Sequence, residues 1–131
     1  MRPVPHPDRD GEPWWDGIAR HELLVQRCGA CGRLRWPPRA MCGECGGLAW
    51  QWQLASGRAT VASWVVNHHG FSDAFPPPYV VVTGRLDDQD DILIPAGFQG
   101  DRSGLALGAP LVAGFEDVGA FTGLVWLLRA G

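Results

Sequence analysis

Every cysteine of this chain falls within one short stretch. Cys28-Gly-Ala-Cys31-Gly and Cys42-Gly-Glu-Cys45-Gly form two C-x2-C-G brackets, ten residues apart. Two residues between cysteines let the backbone fold over one ion with both sulfurs pointing inward. The glycine that follows each bracket, Gly32 and Gly46, suits a turn that needs φ > 0. The same turn aims backbone N–H groups at the thiolates. Two such knuckles facing each other supply tetrahedral S4 coordination, so Cys28, Cys31, Cys42 and Cys45 are the expected metal ligands. One zinc ion is the expected occupant, with iron the alternative in the same geometry. Four cysteines leave no open coordination position, which predicts a structural ion clipping a ribbon too small for a core of its own.

Disulfides are the competing use of four cysteines. The opening residues "MRPVPHPDRDGEP" hold no apolar signal-like run, so an oxidising compartment is not expected and a cytoplasmic location is. No apolar run approaches the roughly 18–20 residues that span a bilayer, so no membrane association is expected.

Outside the brackets the chain reads as mainly β. Residues 1–12 form an extended arm. "EPWWDGIARHEL" then predicts a short helix, with Pro13 near its first turn and Asp10 or Glu12 favouring its N-terminus. "LLVQR" (23–27) reads as a strand entering the first bracket. "LAWQWQL" (48–54) alternates, with Leu48, Trp50, Trp52 and Leu54 on one face of a half-buried strand. Five further strands are predicted at 58–66, 79–86, 91–98, 110–116 and 121–128, separated by segments full of turn formers. Five strands in this span fit a small barrel, and the OB-fold is the natural candidate. The expected division is an arm and helix (1–22), a zinc ribbon (23–55) and an OB-fold (56–131).

Candidate surfaces follow from residue chemistry. Trp14, Trp15 and Ile18 on the helix are candidate partner anchors, since tryptophan is favoured where binding energy concentrates. Trp50, Trp52, Trp64 and Trp126 sit in strand patterns and are expected in the core. "NHHGFSDAFPPP" (67–78) joins the first two barrel strands, a place where OB-folds often contact ligands. Its His68 and His69 can donate or accept hydrogen bonds, and Phe71 follows two residues on. Arg27, Arg33, Arg35 and Arg39 lie in or beside the brackets and are expected to offset the charge of four thiolates. Arg33, Arg35 and Arg39 are also candidates for anion contact. "DDQDD" (87–91) reads as a hairpin turn.

Taken in order, "PWWDG", "ELLVQRCGACGRLRWPPRAMCGECGG", "WQLASGRATVASWVV", "PPPYVVVTGRLD" and "LGAPLVAGFED" resemble the DUF35 family over nearly the whole chain. The brackets with "PPR" between them carry most of the likeness. Gly43 stands where the family often has proline. The resemblance implies a rubredoxin-like zinc ribbon followed by an OB-fold, assembled with a thiolase-superfamily enzyme, as a two-plus-two heterotetramer. It also implies that such a unit can be the C-terminal domain of a MaoC-like hydratase subunit. Those subunits partner thiolase-like aldolases of steroid side-chain breakdown. The expected function is therefore a non-catalytic accessory subunit or domain. Contact with an acyl-CoA thioester or with the partner's active site is expected at His68, His69, Phe71, Arg35 and Arg39.

Two other functions use the same parts. Zinc ribbons and OB-folds both bind nucleic acid, but that requires a basic groove with exposed aromatics. Eleven Lys and Arg against fourteen Asp and Glu, for a net charge of −3, argue against it. An iron S4 centre would make the chain an electron carrier.

Overall fold

The computed structural model describes residues 11–68, 78–119 and 121–129. Helix α1 (Glu12–Ala19) carries Pro13 in its first turn and Glu12 at its positive end. Its N-cap is Gly11, which offers no side-chain bond, and Asp10 lies outside the described residues. Strands β1 (Leu24–Cys28), β2 (Leu34–Arg35) and β3 (Trp50–Leu54) form an antiparallel sheet in the order β2-β1-β3. The sequence reading missed β2, which lies inside the segment between the brackets and is two residues long. Strands β4 (Arg58–Asn67), β5 (Tyr79–Leu86), β6 (Leu93–Phe98), β7 (Pro110–Val118) and β8 (Phe121–Leu128) close into a barrel in the order β4-β5-β6-β8-β7. Only β6 and β8 run parallel. This is the OB-fold architecture, and the mainly β fold expected from the sequence is the one observed.

One core joins the two sheets. Trp14 and Ile18 of α1, with Leu23 and Val25 of the ribbon, pack with barrel residues Ala59, Val61, Val82, Leu86, Ile94, Leu111 and Trp126. The ribbon therefore borrows hydrophobic burial that its own few strands do not supply. Trp126 is fully buried and donates its indole N–H to Ile94 O at 2.9 Å. Gly84 makes room for that ring, because a Cβ there would stand 2.8 Å from Trp126 Cε2.

Three of the four strand tryptophans depart from the expected core position. Trp50 and Trp52 are half-buried, and Trp64 is 37% exposed. Trp64 lies just past a register shift in β4 between Val61 and Ser63. Val61 points into the barrel; beyond the bulge the even positions take over, so Trp64 stands opposite the buried Val82. Trp64 nevertheless keeps part of its ring in solvent, and Val65 beside it is exposed. In β3 the expected alternation holds over Trp50, Gln51 and Trp52, but Leu54 at its end is exposed, and Leu48 lies before the strand and is exposed too.

Candidate metal centre and the surfaces it positions

Each bracket folds as the spacing predicts. Gly32 N–H donates to Cys28 O and Gly46 N–H to Cys42 O, both at 2.9 Å. Gly32 and Gly46 have φ of 78° and 75°. Cys28 sits at the end of β1, and its N–H is held by Arg33 O at 2.9 Å. Cys42 is held in the same way by Gly47 O at 2.9 Å. The two knuckles thus share one backbone pattern and face each other. Cys28 and Cys42 are buried, while Cys31 and Cys45 reach the surface.

The four Sγ atoms lie within 4.8 Å of one another. Cys28 and Cys45 sulfurs are 3.6 Å apart, and those of Cys31 and Cys42 are 3.7 Å apart. A Zn–S bond of about 2.3 Å in a tetrahedron requires sulfurs about 3.8 Å apart, so the donor set fits one tetrahedral ion. The backbone prepares it. The N–H groups of Cys31 and Ala30 lower the Cys28 thiol to about 6. Those of Cys45 and Glu44 lower Cys42. At Cys45 the Gly47 N–H favours the thiolate, but the facing sulfurs of Cys28 and Cys31 outweigh it and push the thiol up to about 11. Four sulfurs this close cannot all ionise without a cation between them, and a bound divalent ion reverses that balance. The centre is a metal-binding site.

The arginines expected to offset its charge are largely engaged elsewhere. Arg33 pairs with Asp91 and approaches Glu44 at 3.8 Å. Arg35 donates Nε to Gln26 Oε1 and Nη2 to Arg39 O, both at 2.7 Å, and lies over the Trp50 ring. Arg27 stays by the first knuckle and donates to Gln53 Oε1 at 3.2 Å. A groove of about 200 Å³ opens beside the centre, with Arg33, Arg35, Arg39 and Trp36 along it and Asp91 and Glu44 on its rim.

Gln26 is the residue that sequence reading overlooked here. It is fully buried, and its Oε1 accepts from both Arg35 Nε and the Arg39 N–H at 2.7 Å. It thereby pins the loop between the brackets to β1. Its signal in the sequence was a polar residue on the same strand face as Cys28.

The helix divides its expected anchors. Ile18 is fully buried and Trp14 is 8% exposed, both in the chain's own core, so neither offers a surface. Trp15 is half-buried, edge-on to Trp14 at 4.8 Å between ring centres. His68 is exposed at the end of β4, whereas His69 and Phe71 lie outside the described residues. At the base of that connection Asn67 Nδ2 donates to Tyr79 OH at 2.9 Å. Among the described residues no helix is long and apolar enough to cross a membrane.

A further contact ties the helix end to the barrel. His21 Nε2 lies 3.1 Å from Asp117 Oδ1, and its ring stacks on Phe115 at 5.1 Å. Thr122 Oγ1 donates to the same Asp117 oxygen at 2.6 Å.

Comparison with known proteins agrees with this architecture. Residues 15–51 match the family model described as ChsH2, rubredoxin-like zinc ribbon domain, and residues 52–116 the one described as ChsH2, C-terminal OB-fold domain. A probable enoyl-CoA hydratase alpha subunit of Thermomonospora curvata is 34% identical over 88 residues, which is 67% of this chain and 28% of that protein. The 3-oxo-4,17-pregnadiene-20-carboxyl-CoA hydratase alpha subunit of Mycobacterium tuberculosis is 31% identical over 123 residues, 93% of this chain and 39% of that protein. The chain thus spans well under half the length of these curated relatives. Among solved structures, the Ltp2-ChsH2(DUF35) aldolase superposes with a TM-score of 0.89 at 29% identity, covering 97% of this chain and 100% of that one. A DUF35 protein of unknown function from Sulfolobus solfataricus has a TM-score of 0.67 at 16% identity, covering 94% of this chain and 87% of that one, and shares the fold.

Proposed function

We propose, from the premise that the chain belongs to the DUF35 family of ChsH2-type zinc-ribbon and OB-fold proteins, that it is a non-catalytic subunit or domain of an assembly built around a thiolase-superfamily enzyme. The partner is a thiolase-like aldolase acting on acyl-CoA intermediates of steroid side-chain breakdown. The observation that carries this reading is the likeness to the DUF35 chain of the Ltp2-ChsH2 aldolase over that chain's whole length. The name of the M. tuberculosis relative supports a steroid acyl-CoA context, and it is compatible with this unit being fused to a MaoC-like hydratase. The assembly is a two-plus-two heterotetramer.

The physical logic is preorganisation. The ion in the four-cysteine centre is zinc, held for structure. It locks the segment between the brackets into a fixed surface, so little ordering cost remains when a partner docks. On this reading Trp15, the outward tryptophan of α1, anchors the partner. His68, with His69 and Phe71 beyond it, reaches toward the partner's active site or the acyl-CoA. Arg39 supplies a cation for phosphate, and Arg35 positions Arg39 through its carbonyl.

Co-expression with a thiolase-superfamily aldolase tests the proposal. The two chains are expected to co-elute, and acyl-CoA cleavage is expected to fall sharply when this chain is left out. Full turnover by the partner enzyme alone would sink the accessory role. A colourless preparation containing one zinc per chain is expected, and a red one absorbing in the visible would point to iron and electron transfer instead.

A further inference from the structure

Among the described residues the ribbon sheet has one long bare edge. β3 lies outermost and is bonded on one side only, to β1. The phase of that ladder is set by Gly29 N–H donating to Ala49 O at 2.7 Å and Ala55 N–H to Leu23 O at 2.8 Å. Bonded pairs alternate along antiparallel strands, so Gln51 and Gln53 exchange bonds with Arg27 and Val25. The peptide groups of Trp50, Trp52 and Leu54 therefore point away from β1, and no bond from another described residue meets them.

Proteins usually guard such an edge with lysine, proline or a bulge. Here the segment from Leu48 to Leu54, Leu-Ala-Trp-Gln-Trp-Gln-Leu, has neither charge nor proline. Its two ends, Leu48 and Leu54, are 68% and 59% exposed. The segment is also symmetric about Gln51, with Trp50 mirrored by Trp52 and Leu48 by Leu54.

We propose that β3 pairs with β3 of a second copy of this chain, antiparallel about a twofold axis through Gln51. In that register Trp50 faces the second copy's Trp52, and Leu48 faces its Leu54, each twice by symmetry. The backbone phase agrees. The facing tryptophans have outward peptide groups, so they form the bonded pairs; Leu48, two residues before Trp50, meets Leu54 if the strand is continued in the same phase, and Gln51 meets its symmetry mate in the close non-bonded pair. A shift by one residue sets outward peptides against inward ones. A shift by two sets Leu54 against Gly46 or Leu48 against Ser56. Of these registers, only the central one sets both exposed leucines of the segment against one another while closing the ladder. The product is a continuous sheet, β2-β1-β3-β3-β1-β2. The inference rests on the ribbon alone and is independent of any partner enzyme.

The test introduces charge at the two leucines in the metal-loaded chain. L48K/L54K and L48E/L54E each set like charges opposite one another across the axis. Each is expected to weaken self-association about tenfold or more in sedimentation equilibrium, with metal content and far-UV CD unchanged. Mixed in equal amounts, the two variants set Lys against Glu and are expected to regain the dimer. A wild-type chain that stays monomeric up to about 1 mM overturns the proposal. So does a dimer indifferent to the substitutions, or a mixture that remains monomeric. A monomeric wild type whose variants lose a thiolase-type enzyme assigns the edge to that enzyme and equally overturns self-pairing.

Discussion

Gln89, at the tip of the hairpin between β5 and β6, grips the main chain of Leu34 with both ends of its side-chain amide. Leu34 N–H donates to Oε1 at 2.9 Å, and Nε2 donates to Leu34 O at 2.7 Å. The amide stands where a neighbouring strand would stand beside β2. Around it the same hairpin holds the ribbon elsewhere: Asp91 pairs with Arg33, and Asp88 accepts from Ser56 N and Oγ at 3.0 and 2.8 Å. The acidic hairpin is thus the connector between metal ribbon and barrel.

Replacing Gln89 with Ala strands the Leu34 N–H and C=O at a half-buried junction. The expected loss is about 1–3 kcal/mol of unfolding free energy, read by urea titration, with metal content retained. A variant as stable as wild type would show that water replaces the amide at no cost.

Acid should loosen the same junction. The Gln89 amide and then the Arg33 guanidinium hold Asp91 below the usual carboxylate range. Asp117 is held low by Thr122 and then His21. Both carboxyls have lower values in the folded chain than in the unfolded one. Their contribution is therefore complete above about pH 4 and fades as pH falls further. Asp91→Asn should flatten this acid limb in a stability–pH profile; an unchanged limb would remove Asp91 from it.

Cys42→Ser should abolish tight metal binding, because a buried knuckle loses its thiolate and the ribbon has too little core to hold shape without the ion. Metal analysis and loss of ribbon amide protection in hydrogen exchange check this, with barrel amides keeping more of theirs.

Gly84→Ala drives a methyl into the Trp126 indole, the fully buried centre of the barrel. Overpacking of this kind costs about 1–3 kcal/mol, read as a lowered melting temperature together with a changed tryptophan emission.

The two helix tryptophans should separate by assay. Trp14→Ala opens a cavity in the shared core and should cost about 3–5 kcal/mol of stability. Trp15→Ala should leave most of that stability and weaken capture of a thiolase-type partner by about tenfold or more. Equal capture by Trp15→Ala and wild type would move the docking surface off the helix.

Much of this was legible in the chain itself. The four ligands could be read because a C-x2-C-G knuckle closes on itself through near-neighbour bonds such as Gly32 N–H to Cys28 O. The barrel strands could be read because turn formers bracket them and period-2 patterning runs between. What could not be read depends on contacts distant in sequence. Trp64 sits in a strand pattern like that of Trp126, yet Trp64 past the bulge in β4 stays partly exposed while Gly84 admits Trp126 to the core. Trp14 and Trp15 are adjacent, and only the docking of α1 on the ribbon and barrel decides which one faces inward.

The sequence by itself determined the metal ligands and the succession of the barrel strands, since each follows from local backbone preference and hydrophobic period. The tertiary structure alone decided that the acidic turn grips the ribbon, that Gln26 holds the loop of Arg35 and Arg39, and that β3 keeps an open edge. Those outcomes depend on which surfaces meet when the two sheets share one core, and no local period encodes such a meeting.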